Sequence, residues 1–194
     1  EYVTPTMEVA EIHSMSMEFF TSPWMDLFFG DKADKYRYSH LAEAIMFVPY
    51  GVCVDEFQHI VYANPDMTPA ERKQTWAKLE KKYLPDRDYD GNEFMMKGSF
   101  WQKQHHIYSM PFYYIDYTLA SMGAFEFFGR MQEDRGAAWQ DYLKLCGAGG
   151  SLPYRELLAL ANLSDPFRDG GVERAAAAAV KTVFATDDIA LQKD

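Results

Sequence analysis

The segment MEVAEIHSMSMEFF, residues 7–20, decides how the chain can fold. If it forms a helix, steps of 100° bring Glu8, Glu11 and Glu18 within an arc of about 80° on one face. Most other positions are apolar, which predicts a largely buried helix. Carboxylates on such a helix need a cationic side chain, hydrogen-bond donors or a metal ion opposite them, because buried unpaired charge is costly. An ordinary helix with one solvated acidic edge stays open as the alternative.

The composition predicts a folded protein with a densely aromatic interior. The chain has 194 residues, of which 48% are hydrophobic and 16% aromatic, and this excludes intrinsic disorder. A formal net charge of −10 argues against a nucleic-acid partner. No apolar run reaches the roughly 18 residues of a membrane span, and no signal peptide is recognisable. Cys53 and Cys146 lie in apolar contexts, so we expect free buried thiols and a cytoplasmic location.

Helical signals dominate, and we predict an all-α fold with negligible strand, forming a single helical domain over residues 1–194 or a fragment of one. Thr68, followed by Pro69 and Glu71, has the pattern of a capping box and marks the clearest helix start. We expect Pro49 to kink or end the helix that precedes it. Residues 99–130 are expected to form a long helix, or two helices around a proline. A solvated stretch should then separate them from a short helix over residues 137–146.

A second unusual stretch, HHIYSMPFYYIDY, spans residues 105–117. Tyr113 and Tyr117 are one helical turn apart and should point the same way. Phenol groups in a cleft can donate hydrogen bonds to a developing oxyanion, and His106 can do the same. Three further residues are substrate-binding candidates: Tyr108, Tyr114 and His105. The alternative is a buried aromatic stripe whose hydroxyl groups bond to the backbone.

Several common catalytic motifs are missing from this sequence. It has no nucleophile elbow, phosphate-binding glycine loop, Cys-x-x-Cys or His-Glu-x-x-His. His13, His40 and His59 are isolated, so each is expected to be a hydrogen-bonded core or surface histidine. His13 lies about 160° around the helix from Glu11, so the two cannot share one metal ion.

Together, the two stretches resemble the C-terminal part of the thimet oligopeptidase / oligoendopeptidase F family of zinc metallopeptidases, in its oligoendopeptidase F branch. That family has a ligand Glu followed by Ser three residues later and Glu seven residues later, which Glu11, Ser14 and Glu18 match. It also has a His before a segment Pro-Phe-Tyr-x-x-x-Tyr, which His106 and residues 111–117 match. The resemblance extends from about residue 5 to residue 130.

The resemblance implies an endopeptidase that hydrolyses short peptides with water activated by one zinc ion. It implies that Glu11 is a zinc ligand and that Glu8, Ser14 and Glu18 support the ligands. It assigns catalytic hydrogen bonds to His106, Tyr113 and Tyr117. No membrane or nucleic-acid partner is expected.

One part of the family pattern is missing. In the family, a His-Glu-x-x-His helix well upstream of the ligand Glu supplies two zinc ligands and the general base. Only ten residues precede Glu11 here, so this helix is expected upstream of residue 1. We therefore expect the missing N-terminal part of the same protein to be a partner, and this chain alone to be inactive. A non-catalytic helical binding or scaffold module derived from a peptidase is the alternative.

Overall fold

A computed structural model describes residues 3–191 of the chain. Within that range all regular elements are helical and no strand occurs, which confirms the all-α prediction. The α-helices, in chain order, are α1 (Met7–Thr21), α2 (Asp26–Phe29), α3 (Ala33–Ala63), α4 (Pro69–Tyr83), α5 (His106–Ser109), α6 (Tyr114–Ala148), α7 (Tyr154–Leu160), α8 (Gly171–Ala185) and α9 (Asp188–Leu191). None of these helices is long and apolar enough to cross a membrane.

The chain divides into two compact units, each with its own core. Unit 1 contains the residues up to Ile45 and those from Leu119 onward, and unit 2 contains Met46–Thr118. The sequence predicted one helical domain or a fragment, and that statement stays a prediction.

The core of unit 1 forms where α1 packs against α6 and α7. Val9, Ile12 and Phe20 of α1 are at most 2% exposed. The ring of Phe20 lies 5.1 Å from Tyr142 and 5.7 Å from Phe127, both on α6. These apolar positions of α1 are buried as predicted, and their burial fixes which face of the helix carries the carboxylates.

The core of unit 2 is built from the second part of α3, from α4 and from the segment that precedes α5. Phe57 and Trp76 are fully buried and meet edge to face at 5.3 Å. The start of α4 has the predicted capping box: Glu71 N–H donates to the Thr68 hydroxyl, and Thr68 N–H donates to the Glu71 carboxylate. Such a cap contributes about 1 kcal/mol to helix stability.

Three local predictions concern breaks in the helices. Pro49 lies inside α3, which continues to Ala63, because a proline removes one backbone donor without forcing a long packed helix to end. Pro111 lies in the turn between two helices, α5 and α6, as one of the two predicted alternatives has it, although α5 is only four residues long. Residues 129–133 are helical and continue α6, but residues 132–134 are exposed as predicted, and the helix is interrupted before residue 137. Within α6 only Asp134 departs from helical geometry, with φ −148° and ψ 97°, and its carboxylate accepts the Ala137 N–H.

The two thiols differ in exposure. Cys53 is buried as predicted, and burial raises its pKa to about 12. The prediction of a buried Cys146 is wrong, because this residue lies on the outer side of α6, one position after the buried Leu145. Its Sγ lies 3.7 Å from Nδ1 of His13.

Gly98 is the backbone position of unit 2 where a side chain is least tolerable. Its φ is +82°, and an added Cβ would lie 2.0 Å from the carbonyl oxygen of Lys73 on α4. We expect Gly98→Ala to lower the free energy of unfolding by about 3 kcal/mol or more. The strain of a left-handed backbone conformation for alanine and the clash of its Cβ with the Lys73 carbonyl both contribute.

Gly91→Ala is the matched control for that substitution. Gly91 also has a positive φ, +74°, but nothing lies within 4 Å of its Cβ position. We expect it to cost about 1 kcal/mol. Chemical denaturation of the full-length protein measures both, and equal losses would show that the contact with Lys73 is unimportant.

Candidate active-site residues

The acidic face of α1 is defined here as Glu8, Glu11, Ser14 and Glu18. Glu8 and Glu11 are half-buried, whereas Ser14 and Glu18 are exposed. The carboxylates therefore lie at the boundary between the core and solvent. A group in this position keeps its charge at little cost and can still reach a bound ion.

The carboxylate of Glu11 is held by its own helix. The hydroxyl of Ser14 donates to Oε2 of Glu11 at 2.6 Å and lies 3.1 Å from the carbonyl oxygen of the same residue. The spacing of three residues places both side chains on one helix face. The bond restricts the rotamer of Glu11 and thus fixes the direction in which the carboxylate points.

Glu18 pairs with a residue that sequence analysis left isolated. Its Oε2 lies 2.6 Å from Nε2 of His40 on α3, and the His40 ring stacks on Tyr36 with centroids 5.6 Å apart. Both residues line a cavity of about 420 Å³ within unit 1. No sequence signal identified the pair, because 22 residues separate the two side chains.

Glu11 fits the role of a single carboxylate ligand. Zinc accepts carboxylate oxygen as well as imidazole nitrogen, and protein sites use at least three such ligands. Among residues 3–191, no group of three or more His, Cys, Asp or Glu side chains could hold a metal ion. The role of Glu11 as a metal ligand stays a prediction.

The tyrosine cluster consists of His106, Tyr113, Tyr114 and Tyr117, all in unit 2. The imidazole centroid of His106 lies 4.9 Å from Tyr114, 5.8 Å from Tyr117 and 6.0 Å from Tyr113. Tyr113 and Tyr117 are 4.9 Å apart, consistent with the predicted spacing of one turn. The structure thus brings the three predicted catalytic residues of this segment together.

A chain of hydrogen bonds connects Tyr50, Gln104 and His106. The phenol of Tyr50 donates to Oε1 of Gln104 at 2.7 Å, which leaves the amide NH₂ of Gln104 facing Nδ1 of His106, also at 2.7 Å. With the amide in this orientation Nδ1 accepts and Nε2 carries the proton, and the flipped amide reverses both roles. Burial, and to a smaller extent the charge of His105, lowers the pKa of His106 below 6.5. The lowered pKa favours the neutral imidazole at neutral pH.

The three predicted substrate-binding residues occupy different environments. Tyr114 is 8% exposed, and burial, with a smaller contribution from Tyr117, raises its pKa to about 12. Tyr108 is 55% exposed, stacks on Trp101 and lines a cavity of about 230 Å³. His105 is exposed beside His106, with ring centroids 6.4 Å apart. Their contact with substrate stays a prediction.

The model of peptidase family M3 matches residues 1–177. The chain belongs to peptidase family M3. This finding confirms the family resemblance deduced from the two sequence stretches. The search of curated proteins gave no match.

Solved structures agree with the M3 assignment. A protein described as an oligoendopeptidase F is 59% identical, with a TM-score of 0.94 over 97% of this chain and 34% of its own. PZ peptidase A, solved with an inhibitor, is 56% identical with a TM-score of 0.93 over 96% of this chain and 33% of its own. A protein described as an oligoendopeptidase F from Bacillus anthracis str. Ames is 48% identical, with a TM-score of 0.81 over 96% of this chain and 30% of its own. The M3 chain thus spans about a third of the length of these relatives.

Proposed function

We propose that the complete protein is a zinc-dependent endopeptidase that hydrolyses short peptides, and that this chain contributes one zinc ligand and several hydrogen-bond donors. Peptidase family M3 is a family of zinc metallopeptidases. The observation that carries the proposal is the carboxylate of Glu11, fixed by Ser14 on a half-exposed helix face at the position of the family's ligand Glu. The substrate class follows from the relatives, whose names denote oligoendopeptidases.

In this proposal the acidic face supplies negatively charged carboxylates to the metal site and orients them. Bound zinc lowers the pKa of a water molecule to about 7 and polarises the scissile carbonyl. Glu11 ligates through its carboxylate, and Ser14 keeps that carboxylate in one rotamer. Glu8 and Glu18 hold neighbouring donors by hydrogen bonds, and Glu18 already does so with His40.

The tyrosine cluster provides donors for the negative charge that develops on the substrate carbonyl oxygen. His106 donates through the ring nitrogen that carries its proton, and its lowered pKa favours the neutral imidazole at neutral pH. Tyr113 and Tyr117 donate through their phenol groups. Each such donor typically accounts for about 10²–10³ in rate. Tyr108, Tyr114 and His105 are proposed to contact or support the peptide.

The remaining parts of the machinery are proposed to lie in the missing N-terminal part of the same protein. These are the two histidine ligands and the glutamate that takes the proton of the attacking water. This chain alone is accordingly proposed to be inactive. We further propose a cytoplasmic enzyme without a nucleic-acid or membrane partner, in keeping with the net charge of −10.

Metal removal tests this function directly. We expect the purified full-length protein to contain one zinc ion and to cleave a fluorogenic oligopeptide. A chelator should lower the rate by about 10³-fold or more, since water activation depends on the metal, and added zinc should restore it. Unchanged hydrolysis by the metal-free protein would contradict the proposal. Tight peptide binding without cleavage by the zinc-loaded protein would favour the scaffold alternative.

A further inference from the structure

We infer that Gln58 is a positioning residue that holds the turn before Tyr113 and thereby orients the tyrosine cluster. The inference rests on the proposed function, because it concerns the same donors. Gln58 lies on α3 in unit 2 and is fully buried. Its Oε1 accepts the backbone N–H of Phe112 at 2.8 Å.

The turn that Gln58 contacts is strained. Tyr113 N–H bonds to the carbonyl of Met110 at 3.2 Å, which closes a four-residue turn with Pro111 in second place and Phe112 in third. The φ of Phe112 is +66°. Proline in second place and a positive φ in third place are typical of a type II turn, whose third position is normally Gly or Asn. Phenylalanine is sterically strained there, so other contacts must hold this conformation.

Two sets of contacts hold Phe112. Its ring packs 5.0 Å from the His59 ring and 5.4 Å from the Tyr62 ring, yet the residue is 40% exposed. The hydrogen bond to Gln58 is the contact that acts on the backbone itself. It fixes the peptide plane between Pro111 and Phe112, which is the central peptide of the turn, and this turn sets the positions of Tyr113 and, one helical turn later, Tyr117.

If position 58 served packing alone, a glutamine there would destabilise the fold relative to an apolar side chain of similar size. Its Nε2 is buried and has no hydrogen-bond partner among the described residues. A buried donor without a partner destabilises the fold, and a methionine of similar length would avoid that cost. The oxygen orientation is determined by its partner, because the N–H of Phe112 can only donate. The presence of glutamine at position 58 is therefore best explained by its amide oxygen, which accepts the hydrogen bond from Phe112 N–H.

A double-mutant cycle in the full-length enzyme tests the inference. We expect Gln58→Met to lower kcat by about 10-fold or more and to leave KM within about threefold, because a small misplacement of catalytic groups is costly in rate. Phe112→Gly allows a positive φ without strain. In that background we expect Gln58→Met to lower kcat by no more than about twofold. Gln74→Met, on the exposed side of α4, is the matched control and should not change kcat.

Hydrogen exchange separates this inference from the proposed function. In Gln58→Met, the segment containing Phe112 should exchange at least about 10-fold faster than in the parent, and zinc content should be unchanged. If the parent enzyme does not hydrolyse peptides, the proposed function is contradicted. The hydrogen-exchange rates still test whether Gln58 holds the turn at Phe112. If Gln58→Met lowers kcat equally in the parent and in the Phe112→Gly variant, or if exchange is unchanged, the inference is overturned. A loss of kcat that disappears in the Phe112→Gly background, together with faster exchange, supports the inference.

Discussion

Glu11→Ala in the full-length protein is expected to abolish zinc retention and to lower peptide hydrolysis by about 10³-fold or more, since a three-ligand catalytic site loses one ligand. The fold should survive, because Glu11 is half-buried and its bond to Ser14 lies on the helix surface. Elemental mass spectrometry measures the zinc content, and turnover of a fluorogenic peptide measures the activity.

Two companion variants make the Glu11 result specific. Ser14→Ala keeps the ligand but frees its rotamer, and we expect zinc affinity to fall by about 10–100-fold. Glu43→Ala removes one exposed carboxylate from α3 and should leave both zinc and turnover unchanged. Normal zinc content and turnover in Glu11→Ala would remove Glu11 from the metal site.

Tyr117→Phe is expected to lower kcat by about 10²–10³-fold while zinc content stays at the parent level, because one oxyanion donor is lost and no ligand is touched. The ring itself packs against His106 and Tyr113, and phenylalanine preserves that packing. Steady-state kinetics with the same fluorogenic peptide separates kcat from KM, and KM should change little.

A second phenol in unit 2 provides the control for Tyr117. The hydroxyl of Tyr83 bonds to Glu56, so Tyr83→Phe also deletes one hydrogen-bonded hydroxyl. We expect its kcat to remain within about twofold of the parent, since it makes no contact assigned to catalysis. Equal effects of the two substitutions would mean that Tyr117 acts on stability rather than on the reaction.

Local sequence patterns predicted the features that depend on one helix. The capping box at Thr68 and the buried positions of α1 follow from spacing alone, and the structure contains both. The same periodicity placed Glu11 and Ser14 on one face, where they form a hydrogen bond. The family motif then singled out Glu11 among these carboxylates as the candidate zinc ligand.

Contacts between distant segments could not be predicted in this way. Glu18 meets His40, Tyr50 reaches His106 through Gln104, and no periodic signal links their positions. Pro49 shows the opposite problem, because the local rule offered a kink or a helix end, and α3 continues through Pro49 to Ala63. The positive φ of Phe112 also escaped prediction, since that conformation normally marks glycine.

The central claim is that Glu11 ligates zinc in the complete protein. The most direct measurement is a crystal structure of the full-length protein with anomalous scattering data at the zinc edge. We expect one zinc peak at about 2.0–2.2 Å from a carboxylate oxygen of Glu11. A zinc ion whose ligands do not include Glu11 would contradict it.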